Sequence, residues 1–319
     1  MSNGVKAFLV LAALVLLVYG VGYELIFNWG ACRVYCPPGH SLLITRQTGE
    51  IGPRDSYAPA GAKGVQEQLG GPGRHFFNPW DYEVSVIEDV KVPPGKVGVV
   101  KNQIGTDLPP GRFLAEPGEK GTQRQVLAAG HWRVNQHGQR VELADATLIR
   151  PGYVGVQTVR EGKNKGTLDA VLQPGYYNIN PQEVRVDIVE IGFREWSMKT
   201  DYLAKEGKQE IKRDTGVSFP LADGKEMFLD FTVIWGISPR NAPRIIREYG
   251  TIAMVEAKVI EPQVLSICKN LGSNLTTLQF IEGDSRERFQ EDVTKELQTM
   301  GKEKGMDILI ALVRGFHPA

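Results

Sequence analysis

The sequence predicts an α+β protein with an N-terminal transmembrane helix, three tandem small antiparallel β modules and a C-terminal α+β domain. Three observations support this fold class. An uncharged apolar run opens the chain, a two-part phrase rich in Pro and Gly then occurs three times, and the last third changes to longer periodic segments. Internal repetition divides a chain into units and therefore decides which fold is expected.

The apolar run covers residues 7–23 and contains no charged side chain. Its length fits a membrane span, which needs about 20 residues and at least about 17. Tyr19, Tyr23 and Trp29 lie toward one end, as aromatic residues do at a membrane surface. A cleaved signal peptide is the alternative, but its apolar core is usually shorter, about 7–15 residues. We therefore expect residues 1–30 to form an uncleaved anchor.

The flanks of this run predict the topology. Lys6 precedes it and Glu24 follows it. The positive-inside rule then places the N-terminus in the cytoplasm and the body of a single-pass cell-membrane protein on the extracytoplasmic side. Cys32 and Cys36 follow closely, and they are able to pair as a disulfide in an oxidising compartment. Otherwise they are free thiols at the membrane surface.

Each copy of the repeated phrase opens with a Pro-Gly pair and contains a second glycine further on. The first glycines are Gly39, Gly95 and Gly152, and the second glycines are Gly73, Gly130 and Gly175. An Asn stands five residues after the second glycine, and a Val eleven residues after it. These residues are Asn78, Asn135 and Asn180, followed by Val84, Val141 and Val186. We expect each Asn to cap a turn with its side chain.

The Pro-Gly pairs favour turns, because Pro sets φ and Gly accepts a positive φ. We therefore expect residues 31–90, 91–149 and 150–192 to be three copies of one β module. Residues 49–73, inside the first copy, are expected to form a long loop. No copy is large enough to be very stable alone, so neighbouring modules should stack.

Residues 193–319 have the periodicities of mixed secondary structure. Alternating apolar residues predict a strand with one apolar face, and apolar residues at helical spacing predict an amphipathic helix. The predicted elements are a strand at 227–235, a helix capped by Asn241 and ended by Gly250, helices at 253–259, 262–271 and 284–304, and a strand at 308–313. Strands, helices and a returning strand together indicate an α+β domain.

Composition and motifs exclude several functional classes. The chain has 37 Lys and Arg against 37 Asp and Glu, which argues against a nucleic-acid partner. The sequence contains no Gly-x-Ser-x-Gly, His-Glu-x-x-His, P-loop or Cys-x-x-Cys motif. His131 and His137 share a repeat, but a metal site needs a further ligand. We therefore predict no catalytic residue, no cofactor and no metal.

The helix predicted at 284–304 carries many charged side chains. The ordinary interpretation is a solvated face with ion pairs four residues apart. The alternative is a contact between subunits, for which Arg286, Arg288, Glu291 and Lys295 are the candidate residues. A single span gives all copies one orientation, and stacked modules make an elongated subunit, so lateral heterologous contacts would close into a ring.

The order of several segments carries a family resemblance. After the anchor come the strand 229–235, the phrase Ile260-Glu261-Pro262-Gln263-Val264 and a closing strand that ends Arg314-Gly315-Phe316. This order resembles the SPFH or band 7 family, which includes stomatins, prohibitins, flotillins and the bacterial regulators of the membrane protease FtsH. The resemblance covers the anchor and residues 150–319. It makes 150–192 the first part of a band 7 region and 193–319 a band 7-like α+β domain.

The resemblance implies a non-enzymatic membrane scaffold. Such proteins form large homo-oligomeric rings or cages that organise membrane microdomains or regulate membrane proteins such as a membrane protease. Two departures stand out. The family usually has one β module, whereas three stacked modules resemble the wall of the major vault protein family. Members also usually continue into a long coiled coil, where this sequence ends. The alternative function is a tethered extracytoplasmic binding module or enzyme, acting as a monomer or small oligomer.

Overall fold

The computed structural model describes most of the chain. The described residues are 3–52, 56–59, 61–205, 208–211, 216–281 and 284–318. The first two residues of the predicted anchor, four residues of the predicted loop (53–55 and 60) and residues 206–207, 212–215, 282–283 and 319 lie outside them. The chain forms two compact units. The first contains Met1–Thr147 and Tyr177–Glu183, and the second contains Leu148–Tyr176 and Val184–Ala319.

A long helix opens the chain. The helix α1, Asn3–Gly22, continues directly into a π-helical segment, Tyr23–Cys32. Phe8–Cys32 contains an 18-residue stretch with a mean hydropathy of 2.3 and no buried residue, so this helix is long and apolar enough to cross a membrane. A helix of this kind is what the uncharged run predicts, although a signal sequence meets the same criterion.

Short strands make up the three repeats. The first repeat contains β1 Arg33–Cys36, β2 His40–Arg46, β3 Gly64–Val65, β4 Gly73–Phe76 and β5 Tyr82–Glu88. The second contains β6 Val90–Val92, β7 Lys96–Asn102, β8 Leu114–Ala115, β9 Gly121–Leu127, β10 Gly130–Trp132 and β11 Gln139–Asp145. The third contains β12 Thr147–Ile149, β13 Tyr153–Val159, β14 Gly166–Leu172, β15 Gly175–Tyr177 and β16 Val184–Glu190.

The strands of the three repeats pair in the same way. The short first strand pairs with the strand that begins at the second glycine, giving β1–β4, β6–β10 and β12–β15. The long second strand pairs with the last strand, giving β2–β5, β7–β11 and β13–β16. The predicted loop at 49–73 differs from a plain loop, because it contains β3, which pairs with Thr45 and Arg46 of β2.

The strand register also recurs. The residue three after the first glycine lies opposite the residue three before the second glycine. These pairs are Leu42–Gly70, Gly98–Leu127 and Gly155–Leu172. Each repeated Val lies opposite the residue five after the first glycine. These pairs are Val84–Ile44, Val141–Val100 and Val186–Gln157. The spacings in the sequence therefore correspond to one pairing pattern.

The first of these pairs shows a compensating exchange. Leu42 faces Gly70 in the first repeat, whereas the glycine and the leucine change strands in the other two. A Cβ placed on Gly70 would lie 3.0 Å from the Cβ of Leu42, and one placed on Gly98 would lie 3.2 Å from the Cβ of Leu127. Each pair therefore combines one leucine with one glycine, and the two residues exchange strands between the first repeat and the other two.

The repeated asparagine closes a turn. Its side-chain oxygen accepts a hydrogen bond from the main-chain N–H two residues further on. The distance is 3.1 Å for Asn78, 3.3 Å for Asn135 and 2.9 Å for Asn180. This short-range bond is the one that Asn makes readily in turns, and it confirms the prediction of a capping side chain.

In the second and third repeats the same asparagine also binds the preceding repeat. Its amide nitrogen donates to two consecutive main-chain carbonyls, at distances of 2.8 to 3.1 Å. The acceptors are Gln66 and Glu67 for Asn135, and Gln123 and Arg124 for Asn180. In the first repeat, Asn78 donates instead to Asp81 of its own turn, at 2.9 Å.

The second unit is organised around one long strand. Its strands after the repeats are β17 Gly192–Met198, β18 Tyr202–Lys205, β19 Lys208–Ile211, β20 Val217–Pro220, β21 Glu226–Ile237 and β22 Asp307–Pro318. β21 is central, with β17 and β20 on one side and β22 on the other. The predicted single apolar face is wrong in part, because Phe228 and Thr232, on the opposite face of the strand, are buried too. β22 is longer than the predicted 308–313.

In the described part of the chain, six helical elements complete this unit. They are α2 Ala242–Tyr249, α3 Ile252–Val255, a π-helical segment Glu256–Ile260, α4 Glu261–Gly272, α5 Thr277–Ile281 and α6 Ser285–Lys304. Asn241 occupies the predicted N-cap position, but its side chain makes no capping bond. The helices predicted at 253–259 and 262–271 form one continuous segment, since a π-helical turn stands directly before Pro262 and the chain does not break there.

One core serves the whole second unit. Phe231 and Trp235 of β21 are 0% exposed and belong to the same cluster as Val293 and Leu297 of α6. Val154 of the third repeat lies in this cluster as well. The third repeat therefore shares its core with the helices and the long strand that follow it.

The three cysteines are buried free thiols. Cys32 and Cys36 are not joined, although the sequence left that pairing open. The thiol of Cys36 donates to the carbonyl of His40 at 3.1 Å, and burial raises its pKa. Burial also raises the pKa of Cys268, well above the ordinary range of a thiol.

Candidate assembly surface

One face of α6 is apolar and fixes the position of the helix. Phe289, Val293 and Leu297 are at most 3% exposed. The ring of Phe289 lies 4.9 Å from that of Phe280 on α5, measured between centroids. Full burial of such a side chain contributes roughly 1.5–3 kcal/mol. The helical spacing predicts this face, and it determines where the other residues of α6 point.

The second face of α6 lies along β22 and binds its main chain. Four side chains at intervals of four residues make these bonds. At Val313, Arg286 Nη2 donates to the carbonyl at 3.0 Å and Gln290 Oε1 accepts from the N–H at 3.1 Å. At Ala311, Thr294 Oγ1 donates to the carbonyl at 3.3 Å and accepts from the N–H at 3.2 Å. Gln298 Nε2 donates to the carbonyl of Leu309 at 3.2 Å. An edge strand has main-chain groups without a neighbouring strand, and α6 supplies their partners.

The third face of α6 points outward and carries charge of both signs. Arg288, Glu291 and Lys295 are exposed. None of the three forms an ion pair with any residue that the structure describes. These are three of the four residues predicted as oligomer contacts, and their charges are available to a second molecule.

Arg286, the fourth predicted contact, has a different environment. It is partly buried, donates to Val313, and its guanidinium carbon lies 5.0 Å from the ring centroid of Phe316. A cation above an aromatic ring is attracted to it. Arg286 therefore holds β22 against α6, and replacing it would disturb the fold as well as any contact between subunits.

An open groove of about 750 Å³ runs between the exposed sides of α4 and α6. The α4 side is mainly uncharged, and the α6 side carries charges of both signs. Gln263, Ser266 and Asn270 line the first side, and Asp292, Lys295, Glu296, Glu303 and Lys304 line the second. Lys295 belongs to both the groove and the outward face, so the two charged surfaces of α6 are continuous.

The short helix α5 supports this arrangement. Asp223, in the turn between β20 and β21, accepts hydrogen bonds from Thr277 Oγ1 at 2.6 Å and Thr277 N at 3.1 Å. These bonds hold the pKa of Asp223 below its usual range. The carboxylate thereby ties the start of α5 to the sheet, and α5 in turn places Phe280 against α6.

His131 and His137, considered as metal ligands, are both exposed. Within the described ranges, no group of three or more His, Cys, Asp or Glu side chains is placed to hold a metal ion. Mixed charge on an exposed helix can fix the register of a protein contact, because opposite charges attract and like charges repel.

The hydrogen-bonded face of α6 is the feature that sequence reasoning missed. Its signal is a run of hydrogen-bonding side chains at every fourth position from Arg286 to Gln298, beside the apolar stripe. Exposed helices carry such residues too, so the pattern alone does not identify an edge strand as its partner.

The family model described as SPFH domain / Band 7 family matches residues 147–319, more than half of the chain. The matched region begins at β12 and includes α6 and β22. No curated protein matches the chain.

Proposed function

Since the chain belongs to the SPFH domain / Band 7 family, we propose that it is a membrane-anchored scaffold that assembles into large homo-oligomeric rings or cages. The family is membrane-associated and generally non-enzymatic. The function of this assembly is to organise membrane microdomains or to regulate membrane proteins such as a membrane protease.

The observation that carries the proposal is a family domain in the same chain as one apolar helix, Phe8–Cys32. If the helix stays in place, every copy enters the bilayer once and in one orientation. The symmetry axis of an assembly then stands perpendicular to the membrane, and rings form through contacts between unlike faces. We accordingly propose that residues 1–30 remain as the anchor, with the body on the extracytoplasmic side.

We propose the outward face of α6 as one such contact, through Arg288, Glu291 and Lys295. Its charges have no partner among the described residues, and opposite charges on a neighbouring copy would supply one. An exposed ion pair contributes only about 0–1 kcal/mol. The contact therefore depends on repetition around the ring, and it should weaken as salt screens the charges.

The three repeats have a place in this proposal. We propose that 31–90, 91–149 and 150–192 are copies of one module, between the anchor and the α+β domain at 193–319. The shared strand pairing, the shared register and the capping asparagines support it.

The test is the size of the full-length protein extracted in mild detergent, measured by light scattering after gel filtration. Assemblies many times the chain mass of 35.3 kDa are expected. The double variant Arg288→Glu, Lys295→Glu should shrink them. The control Lys163→Glu, Lys165→Glu makes the same change of charge at exposed residues between β13 and β14, and it should leave the size unchanged.

A monodisperse wild-type monomer at physiological salt would contradict the ring. It would favour the alternative function, a tethered extracytoplasmic binding module or enzyme. Equal shrinkage in both double variants would show that charge in general is responsible, and would remove α6 as the contact.

A further inference from the structure

The segment around the capping asparagine differs in composition among the repeats. The residues three and seven after the second glycine are Phe76 and Trp80 in the first repeat, Arg133 and His137 in the second, and Asn178 and Gln182 in the third. All three turns have the same side-chain cap. The turn itself therefore does not require aromatic residues, and only the repeat beside the apolar helix has both.

These two aromatic residues contact the end of the apolar helix. The ring of Trp80 is stacked on Phe27, with centroids 5.2 Å apart. The ring of Phe76 meets Trp29 edge to face at 5.9 Å. Trp80 nevertheless remains 70% exposed and Phe76 50% exposed. An exposed aromatic surface thus begins on the helix and continues onto the first repeat.

Two arginines border this surface. The guanidinium carbons of Arg33 and Arg74 lie 5.7 and 5.9 Å from the ring centroid of Trp29. Both side chains are exposed, and neither has an ion-pair partner in the described part of the chain. A guanidinium group carries only donors, and its fork-like geometry matches phosphate. The chemistry beside the aromatic rings therefore favours a phosphate-bearing partner.

The positions of Phe27 and Trp29 along the helix determine how deep the aromatic surface lies in the bilayer. At about 1.5 Å per residue, the uncharged run 7–23 is about 26 Å long, close to the hydrocarbon thickness of about 30 Å. Glu24 therefore lies where the headgroups begin. Phe27 and Trp29 follow within the headgroup layer, which is roughly 5–8 Å deep on each side. Side chains stacked on them lie at the same depth.

We propose that Phe76, Trp80, Arg33 and Arg74 form a second membrane contact, which we term the interfacial platform. The aromatic rings lie among the lipid headgroups, where such rings are favoured, and the arginines bind lipid phosphates. The inference rests on the proposed anchor. Its consequence is that the first repeat rests on the bilayer, using the turn through which the later repeats bind their predecessors.

Tryptophan fluorescence of the full-length protein in phosphatidylcholine vesicles tests the platform. The lipid is brominated near the carbonyl end of the acyl chain, so it quenches indoles at the interface. The chain has five tryptophans, of which Trp29 and Trp80 should be quenched. Trp80→Phe preserves an aromatic ring and should remove roughly half of the quenchable emission. The control Trp132→Phe, an exposed residue of the second repeat, should remove none.

The double variant Arg33→Gln, Arg74→Gln tests the phosphate contact. It should make Trp80 less accessible to the brominated lipid and more accessible to iodide in the water. Equal quenching of this variant and the wild type would overturn the role of the arginines.

The outcomes separate the platform from the anchor. If Trp29→Phe abolishes quenching and Trp80→Phe changes nothing, the helix is inserted and the platform is refuted. If no tryptophan is quenched, the anchor fails and the platform with it. Shielding of Trp80 from both lipid and iodide would also overturn the inference, because a second copy would then cover the surface.

Discussion

Replacing Thr294 with valine isolates the contribution of the hydrogen-bonded face of α6. Valine has nearly the shape of threonine and the same β-branching, but it has no hydroxyl. Thr294 Oγ1 donates to Ala311 O and accepts from Ala311 N. The substitution therefore leaves both main-chain groups of one residue of β22 without a partner on the helix side.

The expected cost follows from burial and geometry. Ala311 is 0% exposed, so water does not readily replace the hydroxyl. A buried polar group left without a partner costs about 1–3 kcal/mol. The two bonds are 3.3 and 3.2 Å long, toward the weak end of the normal range. We therefore expect the two groups together to lower the free energy of unfolding by about 2 kcal/mol. For a domain of about 150–250 residues, this corresponds to a fall in Tm of about 4–8 °C.

The assay is thermal and urea unfolding of the full-length protein in detergent, followed by circular dichroism and tryptophan fluorescence. Thr299→Val is the matched control, because Thr299 is exposed and its hydroxyl donates only to Lys295 O within the helix, at 2.9 Å. Its effect should stay within about 0.5 kcal/mol of wild type. If Thr294→Val falls within the same limit, α6 does not stabilise the edge of β22 through this hydroxyl.

Three further predictions concern other contacts. Asn135→Asp removes the amide donor to the first repeat and should lower the free energy of unfolding in urea by about 1–3 kcal/mol. The control Asn178→Asp changes an exposed residue and should have no such effect. Equal effects of the two variants would contradict the role of the inter-repeat bond. The folded-state pKa of Asp223 is lowered, so the ionised carboxylate stabilises the fold fully above about pH 4, and this contribution is lost as the pH falls through the lowered pKa. In Asp223→Asn, the free energy of unfolding should therefore depend less on pH in this acid range. The same pH dependence in the variant and the wild type would contradict this. Cys268 is buried with a raised pKa, so iodoacetamide should modify it only after unfolding, and rapid labelling of the native protein would contradict its burial.

Local patterns allowed much of the fold to be predicted. The turn cap of Asn135 was predictable, because its acceptor oxygen binds an N–H two residues away. Its second bond was not, because the carbonyl of Gln66 lies 69 residues away in the sequence. Neither composition nor periodicity records which distant main-chain group faces a given side chain.

The same limit applies to the candidate surface. Apolar spacing located the buried face of α6, and Arg288, Glu291 and Lys295 lie away from it as expected. Arg286 shows what the pattern lacked. A charged residue next to an apolar stripe can face water or an edge strand, and which of the two it faces depends on where β22 lies. The sequence of α6 is the same in both situations, so it does not distinguish them.

The inter-repeat bond has a consequence for how such a chain can evolve. The asparagine carries its own cap and donor, and its acceptors are main-chain carbonyls, which every residue possesses. A gene duplication that inserts another copy would therefore supply a module able to dock at once, without matched changes in its neighbour. The exposed side chains of each copy can then change independently, because the bond that joins two copies does not depend on them.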